Sequence, residues 1–208
     1  MGLSLWLVPS SSQATTLSSL QQHLSSLPGP RTSAPFEPHV TLLSGVGQQA
    51  DDADSVWDKL QGSIKVTRKH DNVVDFACPI VDAVTRGMYF QCVLLQLDIP
   101  ESLLRLNRDL AKAFDKPQSP PYFPHASLLY GDMTLDQAES HIAQLRESGW
   151  VSNGANAHAS ACSVGGPQVA KEDRLTHLQL VSIELWDTNG PVQDWKRLRS
   201  AQIDSLYA

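Results

Sequence analysis

One six-residue pattern occurs twice in this chain, as Pro-His-Val-Thr-Leu-Leu at residues 38–43 and as Pro-His-Ala-Ser-Leu-Leu at residues 124–129. Alternate side chains of a β-strand share one face, so each copy predicts a strand with a polar face and an apolar face. The apolar face is expected to pack into a core, while the polar face presents an imidazole and a hydroxyl about 7 Å apart. The residues on the two polar faces are His39 and Thr41 in the first copy, and His125 and Ser127 in the second.

The segments around the two copies also match. Leu3 opens an apolar strand-like segment 36 positions before His39, and Tyr89 stands 36 positions before His125. We therefore interpret residues 1–208 as one domain made of two duplicated halves, about 1–86 and 87–208, with strands exchanged between the lobes. Duplicated halves pack about a pseudo-twofold axis and meet at a cleft, which predicts that the two histidines face each other across it.

The hydrophobic pattern predicts an alternation of strands and helices. Strands are expected at residues 3–8, 38–43, 64–67, 73–84, 88–97, 124–131, 157–164 and 175–186, and helices at residues 10–26, 51–61, 101–115 and 134–147. Thr134 and Gln137 have the spacing of a capping box. The acidic run at residues 51–54 is interpreted as a helix N-terminus rather than as a metal site.

Composition limits the partners of the chain. With 208 residues, of which 41% are hydrophobic, the chain is long enough to bury a core. Its net charge of -6 and pI of about 5.6 argue against a polynucleotide partner, because such binding depends on a basic surface. A small anion is compatible with this charge, since a pocket needs only a few local donors. We expect a monomer.

The three cysteines indicate a reducing compartment. Cys78, Cys92 and Cys162 are irregularly spaced and match neither a zinc motif nor a disulfide framework. We expect buried thiols, with a disulfide between Cys78 and Cys92 as the alternative. The apolar start lacks the basic segment of a signal peptide, and no window reaches the roughly 20 apolar residues of a membrane span. The sequence thus predicts an intracellular, cytoplasmic protein.

The two imidazoles and two hydroxyls are the groups that hydrolysis of a cyclic phosphate needs. The reaction requires a base for water, an acid for the leaving oxygen, and donors to the equatorial oxygens. Histidine serves both proton transfers because its pKa near 6.5 allows one neutral and one protonated ring. We expect His125 to activate water and His39 to protonate the leaving oxygen, with Thr41 and Ser127 binding the phosphate. This arrangement requires no metal ion and no other cofactor.

Both motifs resemble the 2H phosphoesterase superfamily, which is marked by two copies of a histidine, an apolar residue, serine or threonine, and a further apolar residue. Within it they are similar to the cyclic phosphodiesterases of fungi and plants. The opening residues 6–9, Trp-Leu-Val-Pro, resemble the N-terminal strand of that branch, and residues 127–131 resemble its second motif extended by a tyrosine.

This resemblance implies an α+β fold with two pseudo-symmetric lobes, each an antiparallel sheet flanked by helices, around a central cleft. It also implies hydrolysis of nucleoside 2',3'-cyclic phosphates to 2'-phosphates, and of ADP-ribose 1'',2''-cyclic phosphate from tRNA splicing. Trp6 and Tyr130 are implied to line the pocket, and the fungal branch is associated with the Golgi. Strict alternation would turn Tyr130 away from His125, so this implication requires a bend or a bulge near Gly131.

Two other functions are compatible with the same motifs. One is an enzyme that processes 2',5' or 3' ends of RNA, and the other is a non-catalytic module that binds nucleotides. Arg86 could reach a ligand phosphate, although a solvated loop residue is the simpler interpretation. The remaining histidines lack the motif context and are expected to be solvated or locally hydrogen-bonded: His23, His70, His141, His158 and His177.

Overall fold

A computed structural model describes residues 2–30, 32–68, 76–117, 120–152 and 162–207. The strands are β1 (Leu3–Pro9), β2 (Val40–Ser44), β3 (Ala77–Val84), β4 (Val93–Leu97), β5 (His125–Leu129), β6 (Val151–Ser152), β7 (Ser163–Val164), β8 (His177–Asp187) and β9 (Lys196–Gln202). The helices are α1 (Ser11–Ser26), α2 (Ala53–Arg68), α3 (Glu101–Ala113), α4 (Leu135–Glu147) and α5 (Ile203–Tyr207). All strand pairs are antiparallel, which confirms the α+β class.

Seven of the strands form one sheet in the order β1-β2-β5-β4-β3-β8-β9, and β1 also pairs with β8. Strand β8 pairs with β3 through residues 177–179 and with β1 through residues 180–187. The pairing therefore closes into a ring through β8, and β9 extends from the second part of that strand. A late strand thus joins an early strand and a middle strand, which supports the proposal of strand exchange between two halves.

The first motif strand contains a β-bulge. Leu5 of β1 pairs with Leu43, whereas the next residue, Trp6, pairs with Thr41. Leu42 is therefore the extra residue, and it is fully buried. A bulge of this kind re-aims the side chains that follow it.

The second motif strand contains a bulge at the equivalent position. Val93 of β4 pairs with Leu129, and Leu94 pairs with Ser127, so Leu128 is the extra residue. Each bulge thus falls on the first leucine of the Leu-Leu pair in its motif copy. This match supports the proposal that the two halves are duplicated.

Alternation along the central strands separates a core face from a polar face. Leu5, Leu7 and Val40 are 0% exposed and belong to the main hydrophobic core. Each such aliphatic side chain contributes about 1.5–3 kcal/mol through burial. Ser4 and Trp6 alternate with them along β1, and they line the cavity described below.

Local helix signals in the sequence are confirmed at two N-termini. Thr134 caps α4, with its hydroxyl accepting from the Gln137 amide N–H and the Gln137 side chain accepting from the Thr134 amide N–H. Asp54 lies in the first turn of α2, and Asp52, in the 3-10 turn (Ala50–Asp52) before that helix, accepts hydrogen bonds from the amides of Gln48 and Gln49. These bonds lower the pKa of the Asp52 carboxyl.

Helix α2 corrects one sequence prediction. The segment 64–67 was predicted as a strand, but it forms part of the last two turns of this helix. Val56, Leu60 and Ile64 recur every four residues and are all buried. The helical spacing of this apolar face therefore outweighs the β-propensity of the isolated segment.

Other predicted boundaries shift. Tyr89 lies in a short 3-10 turn (Tyr89–Gln91) before β4 and not in a strand. Leu5 of β1 and Val93 of β4 each pair with the second leucine of a motif copy, next to its bulge. The equivalent positions of the two halves are therefore Leu5 and Val93, rather than Leu3 and Tyr89. The sequence missed β9 and α5, because most side chains of β9 are exposed and lack apolar alternation. The predicted strands at residues 73–84 and 157–164 lie partly outside the described residues. His70 and His158 lie outside them.

All three cysteines fall within the described residues and are buried thiols, rather than a Cys78–Cys92 disulfide with one thiol left over. Within the described ranges, the helices are too short or too polar to cross a membrane.

Candidate active site

The two motif strands lie side by side. A single antiparallel pair, Val40 with Ala126, joins β2 to β5. Both residues of this pair are buried, so their neighbours along each strand project from the opposite face. Antiparallel pairing also places each histidine opposite the hydroxyl residue of the other motif copy.

This face opens onto a cleft of about 440 Å³, within the usual range for small ligands. The structure brings all six sequence-predicted site residues together here: Trp6, His39, Thr41, His125, Ser127 and Tyr130. The two histidines lie diagonally on adjacent strands. Of the other described histidines, neither His23, His141 nor His177 lines this cleft.

His39 is buried, with 4% of its surface exposed. Its Nδ1 lies 2.6 Å from the backbone oxygen of Glu37, and because a carbonyl only accepts, Nδ1 carries the hydrogen. Nε2 of the neutral ring is therefore an acceptor. Burial lowers the pKa of His39 to about 4, against the raising effect of the Glu37 carbonyl, and His125 lowers it further. The His39 ring is neutral at pH 7.

His125 has the same tautomer in a less buried position. Its Nδ1 donates to the backbone oxygen of Phe123 over 2.8 Å, which leaves Nε2 as an acceptor. Burial lowers the pKa of His125, the Phe123 carbonyl raises it, and the nearby charge of Arg86 lowers it again. The two imidazoles thus match in hydrogen bonding and differ in exposure to solvent.

Trp6 holds the His39 ring by stacking. The two ring centroids are 3.5 Å apart and the planes differ by 4°. The other face of Trp6 stacks on Trp186 at 4.5 Å, and its Nε1 donates to the Ser4 hydroxyl. With both faces occupied, Trp6 fixes the plane of the imidazole and has no free face for a ligand.

Tyr130 reaches the cleft because of the bulge at Leu128 and the end of β5 at Leu129. The break in strand alternation that was expected near Gly131 therefore lies two to three residues before that glycine. The Tyr130 ring stacks on Phe36 at 4.0 Å, with 7° between the planes. Burial raises the pKa of the Tyr130 hydroxyl, which also hydrogen-bonds to the Ser127 side chain.

The two motif hydroxyls have different surroundings. Ser127 is buried, and its hydroxyl donates to the backbone oxygen of Phe90 over 3.1 Å. Thr41 is half-buried, and its backbone oxygen accepts from the Tyr122 hydroxyl over 2.8 Å. Ser127 must give up its bond to Phe90 before its hydroxyl can donate to a ligand. Tyr122 holds only the backbone of Thr41, so this contact does not involve the Thr41 hydroxyl.

Sequence reasoning missed one cation and two aromatic residues of the cleft: Lys116, Phe90 and Trp195. Lys116 follows α3, and its Nζ lies 3.2 Å from where a Cβ at Gly45 would stand. Arg86 lines a second cavity of about 330 Å³ that shares His125 with the cleft. Neither Lys116 nor Arg86 forms an ion pair with a described carboxylate. Lys116 and Trp195 lie in connections that carry no periodic signal, and Phe90 fell within the predicted strand at residues 88–97 without a feature that singled it out.

The cleft therefore offers imidazole, hydroxyl and ammonium groups between aromatic walls. Over the described stretches of the chain, His, Cys, Asp and Glu side chains form no group of three that could hold a metal ion. The chemistry available from these side chains is proton transfer and hydrogen bonding to an anion.

Comparison with known proteins gives consistent results. A family model for cyclic phosphodiesterase-like proteins matches residues 1–203. A curated relative, the cyclic phosphodiesterase of Arabidopsis thaliana, is 27% identical over 139 residues, which cover 66% of this chain and 69% of that protein.

Solved structures share the fold. A crystal structure described as a phosphoesterase has a TM-score of 0.52 at 11% identity, covering 97% of both chains. That of E. coli LigT complexed with 3'-AMP has a TM-score of 0.51 at 12% identity, covering 97% of this chain and 96% of LigT. At such low identities the likeness shows the fold alone.

Proposed function

This chain belongs to the cyclic phosphodiesterase-like protein family of the 2H phosphoesterases, and from that premise we propose that it hydrolyses cyclic phosphates on small nucleotides. The substrates proposed are nucleoside 2',3'-cyclic phosphates, opened to 2'-phosphates, and ADP-ribose 1'',2''-cyclic phosphate, opened to the 1''-phosphate. One observation carries the proposal: two imidazoles of the same tautomer and two hydroxyls face one small cleft.

Burial favours His39 as the base and His125 as the acid, the reverse of the sequence-based expectation. Nε2 of the neutral His39 ring accepts a proton from water as the water oxygen bonds to phosphorus. The P–O3' bond breaks, and Nε2–H of protonated His125 donates its proton to the leaving oxygen. His125 is the more exposed ring, and the phosphate anion raises its pKa when the substrate binds.

Three further groups stabilise the charge that builds on the phosphoryl oxygens. Thr41 and Ser127 donate hydrogen bonds without adding charge. The Lys116 ammonium adds a positive charge to the same cleft, in a chain whose net charge is -6. Donors placed around the cleft stabilise the charge of the transition state, and Ser127 joins them once its hydroxyl has exchanged the Phe90 backbone oxygen for a phosphoryl oxygen.

The size of the cleft favours a small substrate over RNA. A volume of about 440 Å³ suits a mononucleotide, and a net charge of -6 disfavours binding of a long phosphate backbone. A direct comparison uses 2',3'-cyclic AMP and an oligonucleotide with the same cyclic end. We expect kcat/KM for the oligonucleotide to be no higher, whereas a strong preference for it with steep salt dependence would support RNA-end processing.

The decisive experiment measures turnover of 2',3'-cyclic AMP by the wild type and by the His39→Ala and His125→Ala variants. We expect each variant to lose at least ~100-fold in kcat, because each lacks one proton-transfer group. Phosphorus NMR of the wild-type product should show the 2'-phosphate. Near-normal kcat in either variant would refute the two-histidine mechanism. Calorimetric binding of 2'-AMP without turnover of any cyclic phosphate would instead indicate a non-catalytic module.

A further inference from the structure

Glu184 is a buried carboxylate that lies outside the cleft. It belongs to β8, and 6% of its surface is exposed. Its Oε1 accepts hydrogen bonds from two residues of β9, the Arg197 guanidinium at 3.0 Å and the Ser200 hydroxyl at 3.2 Å. A charged side chain is rarely buried to this extent unless it is paired. These partners occupy one carboxylate oxygen and leave Oε2 for another donor.

Oε2 of Glu184 holds the ring of Trp186. The Trp186 Nε1–H donates to this oxygen over 2.8 Å. The two residues are two positions apart on β8, so their side chains lie on the same face of the strand. Trp186 is half-buried and lines a cavity of about 360 Å³ beside the cleft, so packing alone does not fix its ring. The hydrogen bond to Glu184 therefore sets the orientation of the indole.

The Trp186 ring supports Trp6 across the pair of strands. Trp6 of β1 pairs with Glu184, and Ser4 pairs with Trp186. The two tryptophans are thus diagonal neighbours on one face, within reach of each other's rings. Their centroids are 4.5 Å apart and their planes differ by 21°. Since Trp6 also stacks on His39 at 3.5 Å, three rings form one stack that ends at the proposed base.

We propose that Glu184 is a positioning residue for His39, an inference that rests on the proposed function. Glu184 holds Trp186, Trp186 supports Trp6, and Trp6 fixes the plane of the imidazole that accepts the proton from water. Neither Glu184 nor Trp186 lines the cleft, so both act on the reaction only through the stack. A buried ion pair is often no more stabilising than apolar side chains of the same size, so stability alone does not account for a carboxylate at this position.

Two replacements of Glu184 separate its role as an acceptor from its charge. Glu184→Gln and Glu184→Leu both remove the ion pair with Arg197, but glutamine keeps an oxygen that can accept from the Trp186 N–H. In Glu184→Leu we expect kcat for 2',3'-cyclic AMP to fall roughly tenfold with little change in KM, because displacing a reacting group by about 1 Å costs up to ~100-fold. Glu184→Gln should retain most of the wild-type kcat.

A double-mutant cycle tests the route through Trp186. Trp186→Phe keeps an aromatic ring beside Trp6 and removes the N–H, so it should lower kcat by itself. In that background Glu184→Leu should cause no further fall, because the bond that it breaks is already absent. Glu101→Gln, which removes an exposed ion pair with Arg108 on α3, is the control and should behave as wild type. Independent losses in the cycle, equal losses in the two Glu184 variants, or wild-type kcat in Trp186→Phe would overturn the proposal.

The state of the His39 ring provides a measurement that needs no turnover. Loss of the acceptor should loosen the stack and admit water, so the pKa of His39 should rise from about 4 toward 6.5 in Glu184→Leu but not in Glu184→Gln. Loss of a negative charge alone would lower this pKa, so a rise identifies exposure of the ring. The titratable groups that line the cleft with His39 are His125, Tyr130 and Lys116, and both variants leave them unchanged.

NMR titration of the imidazole nitrogens between about pH 4.5 and pH 7.5 reads this pKa. A rise in Glu184→Leu alone would establish that Glu184 positions His39 even if the wild type turns over no cyclic phosphate, a result that would refute only the proposed function. An unchanged pKa of His39 in both variants, with the fold intact by circular dichroism, would refute the positioning role whatever the activity.

Discussion

The two motif histidines share one tautomer but not one environment. Each donates Nδ1–H to a carbonyl two residues before it, which leaves Nε2 as an acceptor, and each residue lines the cleft. His39 is stacked beneath Trp6 and is 4% exposed, whereas His125 is partly exposed. Equivalent residues in sequence thus have different proton affinities because of their depth in the fold.

Burial of His39 predicts a pH-dependent loss of stability. Its pKa is about 4 in the folded state and 6.5 in the reference state, so between these values only the unfolded chain binds the proton. The free energy of unfolding therefore falls as pH drops from about 6.5 to 4, by up to about 3 kcal/mol. Urea unfolding at pH 7.5 and 4.5 measures this loss.

His39→Gln provides the comparison, because its side chain does not titrate in this range. Carboxyl groups contribute equally to the pH dependence of both proteins. The difference between wild type and variant in how the free energy of unfolding changes with pH is therefore the contribution of His39. Identical slopes for wild type and variant would contradict a neutral, buried imidazole.

Lys116 predicts an electrostatic contribution to substrate binding. Lys116→Met removes the ammonium group from the cleft while keeping an unbranched chain, and we expect kcat/KM for 2',3'-cyclic AMP to fall roughly tenfold. Lys65→Met, on the exposed side of α2, is the control. Steady-state rates at low and high salt complete the measurement, since the wild type should lose more activity with salt than Lys116→Met. A fall of equal size in both lysine variants would indicate a nonspecific charge effect.

Two secondary-structure features determine which side chains of the motif strands reach the cleft. The bulges at Leu42 and Leu128 change which side chains face the cleft from that point of each motif strand onward. In addition, β5 ends before Tyr130. Without the second bulge, regular alternation would turn Tyr130 to the opposite face. The bulges therefore enlarge the set of cleft residues beyond the four of the motif.

Helix α4 predicts a stability effect that is separate from activity. Thr134→Ala removes a reciprocal cap, and we expect the free energy of unfolding to fall by about 1 kcal/mol. Ser140→Ala, exposed on the same helix, should leave it unchanged or slightly higher, because alanine favours helix. Denaturant unfolding with parallel assays tests both variants. A loss of kcat in Thr134→Ala would show that α4 influences the cleft.

The whole molecule places a small, aromatic cleft in an acidic chain. The ring of strands through β8 brings Trp6, the motif residues and Trp195 around one cavity, although they lie far apart in sequence. Lys116 lines this cleft and Arg86 lines the adjoining cavity, so positive charge lies next to the candidate site in a chain whose net charge is -6. Such local charge suits a small anion.

The proposed mechanism predicts that activity is independent of added metal. Two imidazoles perform both proton transfers, so dialysis against EDTA should leave kcat for 2',3'-cyclic AMP within error of its initial value. A metal-dependent phosphodiesterase treated in the same buffer serves as the positive control. Loss of activity that Mg²⁺ or Zn²⁺ restores would replace the two-histidine mechanism with a metal-assisted one.

Local pattern was sufficient to predict the centre of the candidate site. Alternation along residues 38–43 and 124–129 determined that each histidine shares a face with its hydroxyl, because strand geometry has a period of two. The repetition of the motif predicted that the two faces meet, and the capping box of α4 was readable from residue spacing alone. These features depend on neighbours within a few positions of the chain.

Tertiary structure alone decided the rest. Phe90, Lys116 and Trp195 come from connections whose paths are set by packing, so no sequence period marked them. The bulges were invisible because both leucines of each Leu-Leu pair are apolar and only strand pairing shows which one is extra. Likewise, the difference between His39 and His125 arises from burial, and burial depends on the whole fold, whereas side-chain identity belongs to the sequence.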